Sequence, residues 1–137
     1  MTQVKANDLV RLKAVSEKSK KSWPSLGQWL GSCGVVLSVE ADDFLPIHVQ
    51  FDQAPFKTEG DGRWHVDPSE IEVVKFTVGD VVLFRANPDD NPELATVTEV
   101  KQFLHSSNRL SVVFKNDLSV FKDVPVEFFR PLYLNKD

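Results

Sequence analysis

Cysteine is nearly missing: Cys33 is the only one in 137 residues. That excludes an intramolecular disulfide and a thiol-rich metal site. Long apolar runs are missing too, so no segment reads as a membrane-spanning helix. Met1 to Lys13 has no apolar stretch of the kind a signal peptide carries. A reducing, soluble compartment is expected, the cytoplasm first and the nucleus as the alternative. Glycine is sparse, six residues, and neither phosphate-loop nor dinucleotide glycine spacing occurs. Basic excess is lacking as well. Residues 1–74 hold 8 basic and 11 acidic side chains, and residues 75–137 hold 8 and 9. That balance argues against phosphate-backbone binding.

What the chain does have is repetition. Asn7 to Leu12 returns as Gly79 to Phe84, Gly34 to Val39 as Ala95 to Val100, and Ile47 to Phe51 as Leu110 to Phe114. Trp64 to Ile71 returns, read without a gap, as Phe121 to Phe128. Four blocks in one order mark a duplicated structural unit. Copy one spans 1–74 and copy two 75–137, each of a size at which a lone core is marginal, so the two are expected to pack together through Val73 to Asp80. Asp8 and Asp80 are 72 apart but Gly34 and Ala95 only 61, so copy two lacks 11 residues. They correspond to an insert at 18–31, and additions to a shared frame are where function tends to be built.

Each copy reads as five short strands. In copy one these are Leu9 to Leu12, Val35 to Val39, Ile47 to Phe51, Arg63 to Val66 and the tail Ile71 to Val74. Asp42-Asp43, Pro46, Pro55 and Gly60-Asp61-Gly62 separate them. The expected fold is all-β: two tandem, small, five-stranded SH3-like barrels with a short helix inserted in the first. Ile47, Val49 and Phe51 alternate with His48 and Gln50, so the first three face the core. Val36 pairs with Val97 and Val39 with Val100, a spacing of three that period two cannot bury, so a bulge is expected between them. Asp67-Pro68-Ser69-Glu70 and Val124-Pro125-Val126-Glu127 read as single helical turns with Pro early and an acid following.

In the insert, Glu17 to Lys21 reads as a solvated loop and Trp23 to Gly31 as a short helix ended by Gly31. Trp64 has Phe121 as its aromatic counterpart and reads as core. Trp23 and Trp29 have none; they cap an open barrel end or floor a peptide groove. Trp29 is expected to be the more packed of the two. Lys18, Lys20 and Lys21 form a solvated loop or an attractive rim for an acidic peptide. Cys33 matches Leu94 and so reads as a small buried apolar position. His48, His65 and His105 fall in different blocks without metal-ligand spacing, so no metal and no cofactor is expected. No acid, base and oxyanion set assembles.

The run Trp23 … Leu30-Gly31-Ser32-Cys33-Gly34-Val35-Val36 resembles the W…LGxxGxVxxV pattern of the SH3-like repeats in Mind bomb-type ubiquitin ligases. The run Trp64 to Val82 resembles the junction W-x-x-DPxEΦExVxxFxVGDxV that joins the tandem repeats of Keep-on-going ligases. The resemblance implies substrate-recognition repeats that grip short peptide segments. Copy two departs from it, with Ala95 for the usual Gly, Phe121 for Trp64 and no Trp insert. The chain shows no RING, ankyrin, kinase or zinc-finger segment, so ligase activity is not carried over.

The expectation is therefore a non-enzymatic protein-interaction module for an extended peptide or a partner surface, serving substrate recognition for a ubiquitin ligase. Its site is expected in copy one, around Trp23, Trp29, Phe44, His48, Phe56 and Arg63. The rivals are a Tudor-like reader of methylated lysine, a structural scaffold, and a thiol enzyme built on Cys33. Partners are expected to be protein or peptide, with no membrane and no nucleic acid.

Overall fold

Ten short strands carry the described part of the chain, and each sheet takes five that are consecutive in sequence. The structure, a computed structural model, describes residues 4–52, 56–57, 62–103 and 107–132. Pro55, Gly60, Asp61 and His105 lie outside the described residues. The first sheet comprises β1 (Leu9–Leu12), β2 (Cys33–Val39), β3 (Ile47–Asp52), β4 (Arg63–Val66) and β5 (Ile71–Val73). The second comprises β6 (Val81–Phe84), β7 (Glu93–Lys101), β8 (Arg109–Phe114), β9 (Val120–Pro125) and β10 (Phe129–Pro131). Their orders are β4-β3-β2-β1-β5 and β9-β8-β7-β6-β10, antiparallel throughout. The all-β expectation thus holds as two antiparallel five-stranded sheets. Among the described residues no ladder joins β4 to β5 or β9 to β10, so the sheets stay open.

Register repeats as well as order. Val10 lies opposite Gly34, and Val82 opposite Ala95. Gly34 lies opposite Phe51, and Ala95 opposite Phe114. The expected irregularity is present in both copies, between Val36 and Ser38 and between Val97 and Glu99. Val36 and Val97 point inward, but the positions three residues on are not buried as expected: Val39 is 41% exposed and Val100 only half-buried, because the chain continues past the irregularity toward the sheet end.

The fourth block needs a correction. Trp64 opposes Val49 as Phe121 opposes Val112, but Val66 opposes Ile47 while Val124 opposes Leu110. Copy two carries one extra residue in β9, beside Asp123 at a left-handed φ of 56°. The ungapped match of Pro68 with Pro125 and Glu70 with Glu127 is therefore one residue out of register. The 3-10 turns occupy Pro68–Glu70 and Val126–Phe128, and Pro125 only precedes its turn.

Ile47, Val49 and Phe51 are buried, with Val10, Leu12, Leu26, Trp29, Val36, Val66 and Ile71 around them. The second core holds Val82, Phe84, Val97, Leu110, Val112, Phe114 and Phe129, but also Leu9 and Cys33 from copy one. Strands β1 and β2 thus bury both faces, one against each core. Cys33 is fully buried there, whereas its counterpart Leu94 is 41% exposed. At the same boundary Asp52 receives Nε of Arg130 at 2.8 Å and Nη2 at 3.3 Å. No helix among the described residues is long and apolar enough to cross a membrane.

Candidate functional site

The insert folds because copy one supplies a buried anchor for it. Residues Glu17–Ser22 form a helix, α1, where a loop was expected; Ser16 caps it by accepting from the Ser19 amide. Glu70, 1% exposed, accepts from the amide of Ser16 at 2.7 Å, the hydroxyl of Ser19 at 2.6 Å and the amide of Asp67 at 2.7 Å. Its carboxylate thus joins the helix start to the 3-10 turn, and three donors offset its burial. The neighbouring Asp67 is held below the usual carboxylate range, chiefly by the Ser69 hydroxyl. Copy two has Phe128 where this Glu would stand.

After α1 the chain makes a 3-10 turn over Pro24–Trp29, which Gly31 leaves at a φ of 86°. Three residues per turn stack Leu26 and Trp29 on one face, and both are buried. Trp29 therefore belongs to the core and offers no groove surface. Trp23, one residue ahead of the turn, is only half-buried. It meets Trp64 edge-on at 5.6 Å and His65 at 5.9 Å. The indole N–H groups of Trp23 and Trp64 are buried without an acceptor.

Beside Trp23 lies a shallow cleft of about 360 Å³, lined by Ser22, Trp23, Asp43, Phe44, Leu45 and His65. Phe44 is 65% exposed. The Lys18 ammonium sits 4.4 Å from the centre of its ring and 3.4 Å from Asp67. Lys20 pairs with Glu17 and Lys21 is exposed, so part of the expected basic rim is already offset by acids. The floor is apolar and the far wall is polar. Asp43, in the loop before β3, and His65 on β4 supply that wall, and the β3–β4 register sets His48 opposite His65. Their rings stack, 3.7 Å apart and 7° from parallel. His48 Nε2 meets Asp43 Oδ2 at 3.0 Å, and Nδ1 meets Ser38 Oγ at 3.3 Å. His65 sits below the ordinary imidazole range, through partial desolvation first and His48 second, with Asp43 opposing.

Comparison with protein-family models, curated proteins and solved structures finds no match. The site must be read from its geometry. Of the residues expected there, Trp23 and Phe44 line the cleft, and His48 adjoins it through its contacts with His65 and Asp43. Arg63 is exposed on β4, with Nε donating to Gln50 at 3.2 Å. Phe56 needs correcting. Its ring packs under the guanidinium groups of Arg85 and Arg130, 4.9 and 4.6 Å from its centre. It belongs to the boundary between the sheets, held by its own amide donating to Asp52 at 3.1 Å and by a left-handed φ of 65°.

Sequence reasoning read Asp43 as a turn residue and His65 as a histidine without metal-ligand spacing, placed neither in the site, and did not single out Leu45. The signal was there: two segments read as strands, Ile47 to Phe51 and Arg63 to Val66, each with a histidine between apolar neighbours. Only the hairpin register was needed to set those histidines face to face.

Proposed function

We infer that the chain is a non-enzymatic protein-interaction module that binds a short extended peptide in the cleft of copy one. The observation that carries this reading is the cleft itself. An exposed phenyl ring, a half-buried indole and Leu45 sit together on the sheet side that ends in β4. An edge strand can accept an extended chain by main-chain pairing, while aromatic anchors fill the adjacent hollow. The Trp23 indole N–H lacks an acceptor. A peptide carbonyl would supply one after a turn of the ring. The resemblance to Mind bomb and Keep-on-going repeats adds the SH3-like description of each copy, and with it a role in selecting substrates for a ubiquitin ligase.

The rival classes draw less support. A methyl-lysine cage needs several rings around one cation. Trp23 and Phe44 are the two carbocyclic rings lining this cleft, and the Lys18 ammonium already lies over one of them. A thiol enzyme needs an ionisable, reachable sulfur. Burial pushes the Cys33 thiol up to about 12.

The test is selection of short random peptides on the whole chain, followed by titration of a selected peptide with amide shifts recorded. Shifts should cluster at Trp23, Phe44, Leu45 and His65, and Trp23→Ala and Phe44→Ala should each weaken binding. Shifts confined to residues 75–137 would overturn the placement.

A further inference from the structure

The polar wall of the cleft holds a constellation that peptide binding does not explain. We propose that Asp43, His48 and His65 form a site for a divalent transition-metal ion, zinc being the best match to the donor set. The three side chains offer ligand atoms that all lie within 4.8 Å of one another. Two imidazoles and a carboxylate are a donor set zinc takes in open sites, leaving a fourth position for water or a ligand. Nitrogen and oxygen donors at about 2.0–2.2 Å from a tetrahedral ion stand about 3.3 Å apart. His48 Nε2 and Asp43 Oδ2 are already 3.0 Å apart. The remaining separation closes with a shift of about 1.5 Å at most, within reach of the exposed Asp43 turn and a tilt of His65 out of its stack.

The surroundings fit a ligand rather than a packing histidine. A carboxylate only accepts, so Nε2 of His48 carries a hydrogen in its contact with Asp43, and in the neutral ring Nδ1 then accepts from the Ser38 hydroxyl. An ion would take the place of that hydrogen. The ring proton then moves to Nδ1, and the Ser38 hydroxyl rotates to accept it. A metal-bound histidine usually donates its second ring N–H to a carboxylate, a carbonyl or water, and the Ser38 hydroxyl would take that acceptor role here. The β3–β4 register fixes the two backbones opposite each other, so binding asks only for the turn of the His65 ring out of its stack and the movement of the Asp43 loop. Asp43 and His65 also line the cleft, so the open coordination position faces it.

The experiment uses the full chain without an affinity tag, stripped with chelator and titrated with zinc chloride by calorimetry and with cobalt chloride by visible absorption. One equivalent should bind, with the intense d–d bands of tetrahedral cobalt. Copper chloride should quench the Trp23 emission, because that indole touches His65. His48→Gln, His65→Ala and Asp43→Asn should each lower zinc affinity at least tenfold, since even outer-shell partners of a metal cost that much. Nitrogen spectra of the wild-type imidazoles give a readout that does not depend on how the variants fold. The signals of His48 and His65 should move with one equivalent of zinc while those of His105 stay. The proposal fails if zinc binds the His48→Gln/His65→Ala pair as tightly as wild type, or if the imidazole shifts fall on His105. Loss of metal binding with peptide shifts intact, or the reverse, separates this site from the peptide reading.

Discussion

Arg130 of β10 grips Asp52 of β3 through Nε and Nη2, with side chains 8% and 5% exposed, across the boundary between the two sheets. The same guanidinium donates through Nη1 to the carbonyls of Glu127 at 2.8 Å and Phe129 at 2.9 Å. Nearly every polar atom of the pair is thereby satisfied. Removing one partner strands the other in an apolar setting, which costs about 3–5 kcal/mol. Asp52→Ala and Arg130→Ala should each shift the urea midpoint by that order. An Asp52→Leu/Arg130→Met double variant should recover much of the loss. A single variant as stable as wild type would mean that the boundary is wetter than the structure shows.

Gly34 separates the two copies at one atom. A Cβ there would stand 2.5 Å from the Gln50 carbonyl oxygen and 2.8 Å from Phe51 Cα, both backbone. Ala95, at the matching register, carries that methyl group and is fully buried. Strands β2 and β3 therefore approach more closely than β7 and β8 can. Gly34→Ala must push β3 away and should cost about 1–3 kcal/mol by chemical denaturation, as overpacking does. A neutral outcome would show that β3 yields freely.

Glu70 is the point through which the insert is held. Replacing it with Ala leaves the amides of Ser16 and Asp67 and the hydroxyl of Ser19 without their acceptor. The expected loss is about 1–3 kcal/mol, concentrated in α1. Hydrogen exchange should therefore quicken across residues 16–22 while β7 and β8 keep their protection. Uniform acceleration over the whole chain would instead indicate that the insert is integral to the common fold.

How much of this was open to sequence reading depends on where the information lies. Strand positions and the shared bulge came from local alternation and from comparing the copies, both of which are printed in the chain. The β9 insertion was not legible, because Pro-x-Glu recurs one residue off and invites an ungapped match. The 3-10 form of Pro24–Trp29 was likewise hidden, although residues three apart such as Leu26 and Trp29 share a face in an α-helix as well. Phe56 was misplaced for another reason. Only the Asp52–Arg130 pair, 78 residues apart in sequence, shows which side of the sheet it joins. His48 and His65 become partners through register alone, a property of the hairpin and of neither residue.

Trp29 of the insert and Phe44 of the cleft should separate stability from binding. Trp29 is 4% exposed inside the first core, and its truncation to Ala should cost about 3–5 kcal/mol. Phe44, at 65% exposure, should be replaceable by Ala with a stability change within about 0.5 kcal/mol. Phe44→Ala should still weaken peptide binding, with smaller amide shifts at the cleft at a given peptide concentration. If Phe44→Ala proves as destabilising as Trp29→Ala, its ring is structural and the cleft loses its anchor.

Cys33 reports on the integrity of the boundary between the copies. Its thiol, at 0% exposure in the second core, is pushed from 9.0 up to about 12, by burial first, with the charge of Arg130 pulling the other way. Only thiolate reacts with iodoacetamide at an appreciable rate. At pH 8.5 the folded protein should stay unlabelled while the urea-unfolded chain labels readily, as mass spectrometry will record. The sign of the linkage follows from the raised value. Well below pH 9 the thiol is protonated in both states and contributes no pH dependence. Between 9 and 12 the unfolded chain alone ionises, so this group makes stability fall as pH rises. Cys33→Ala should remove that share of the alkaline slope. Fast labelling of the folded protein at pH 8.5 would mean that β2 parts from the second core in solution.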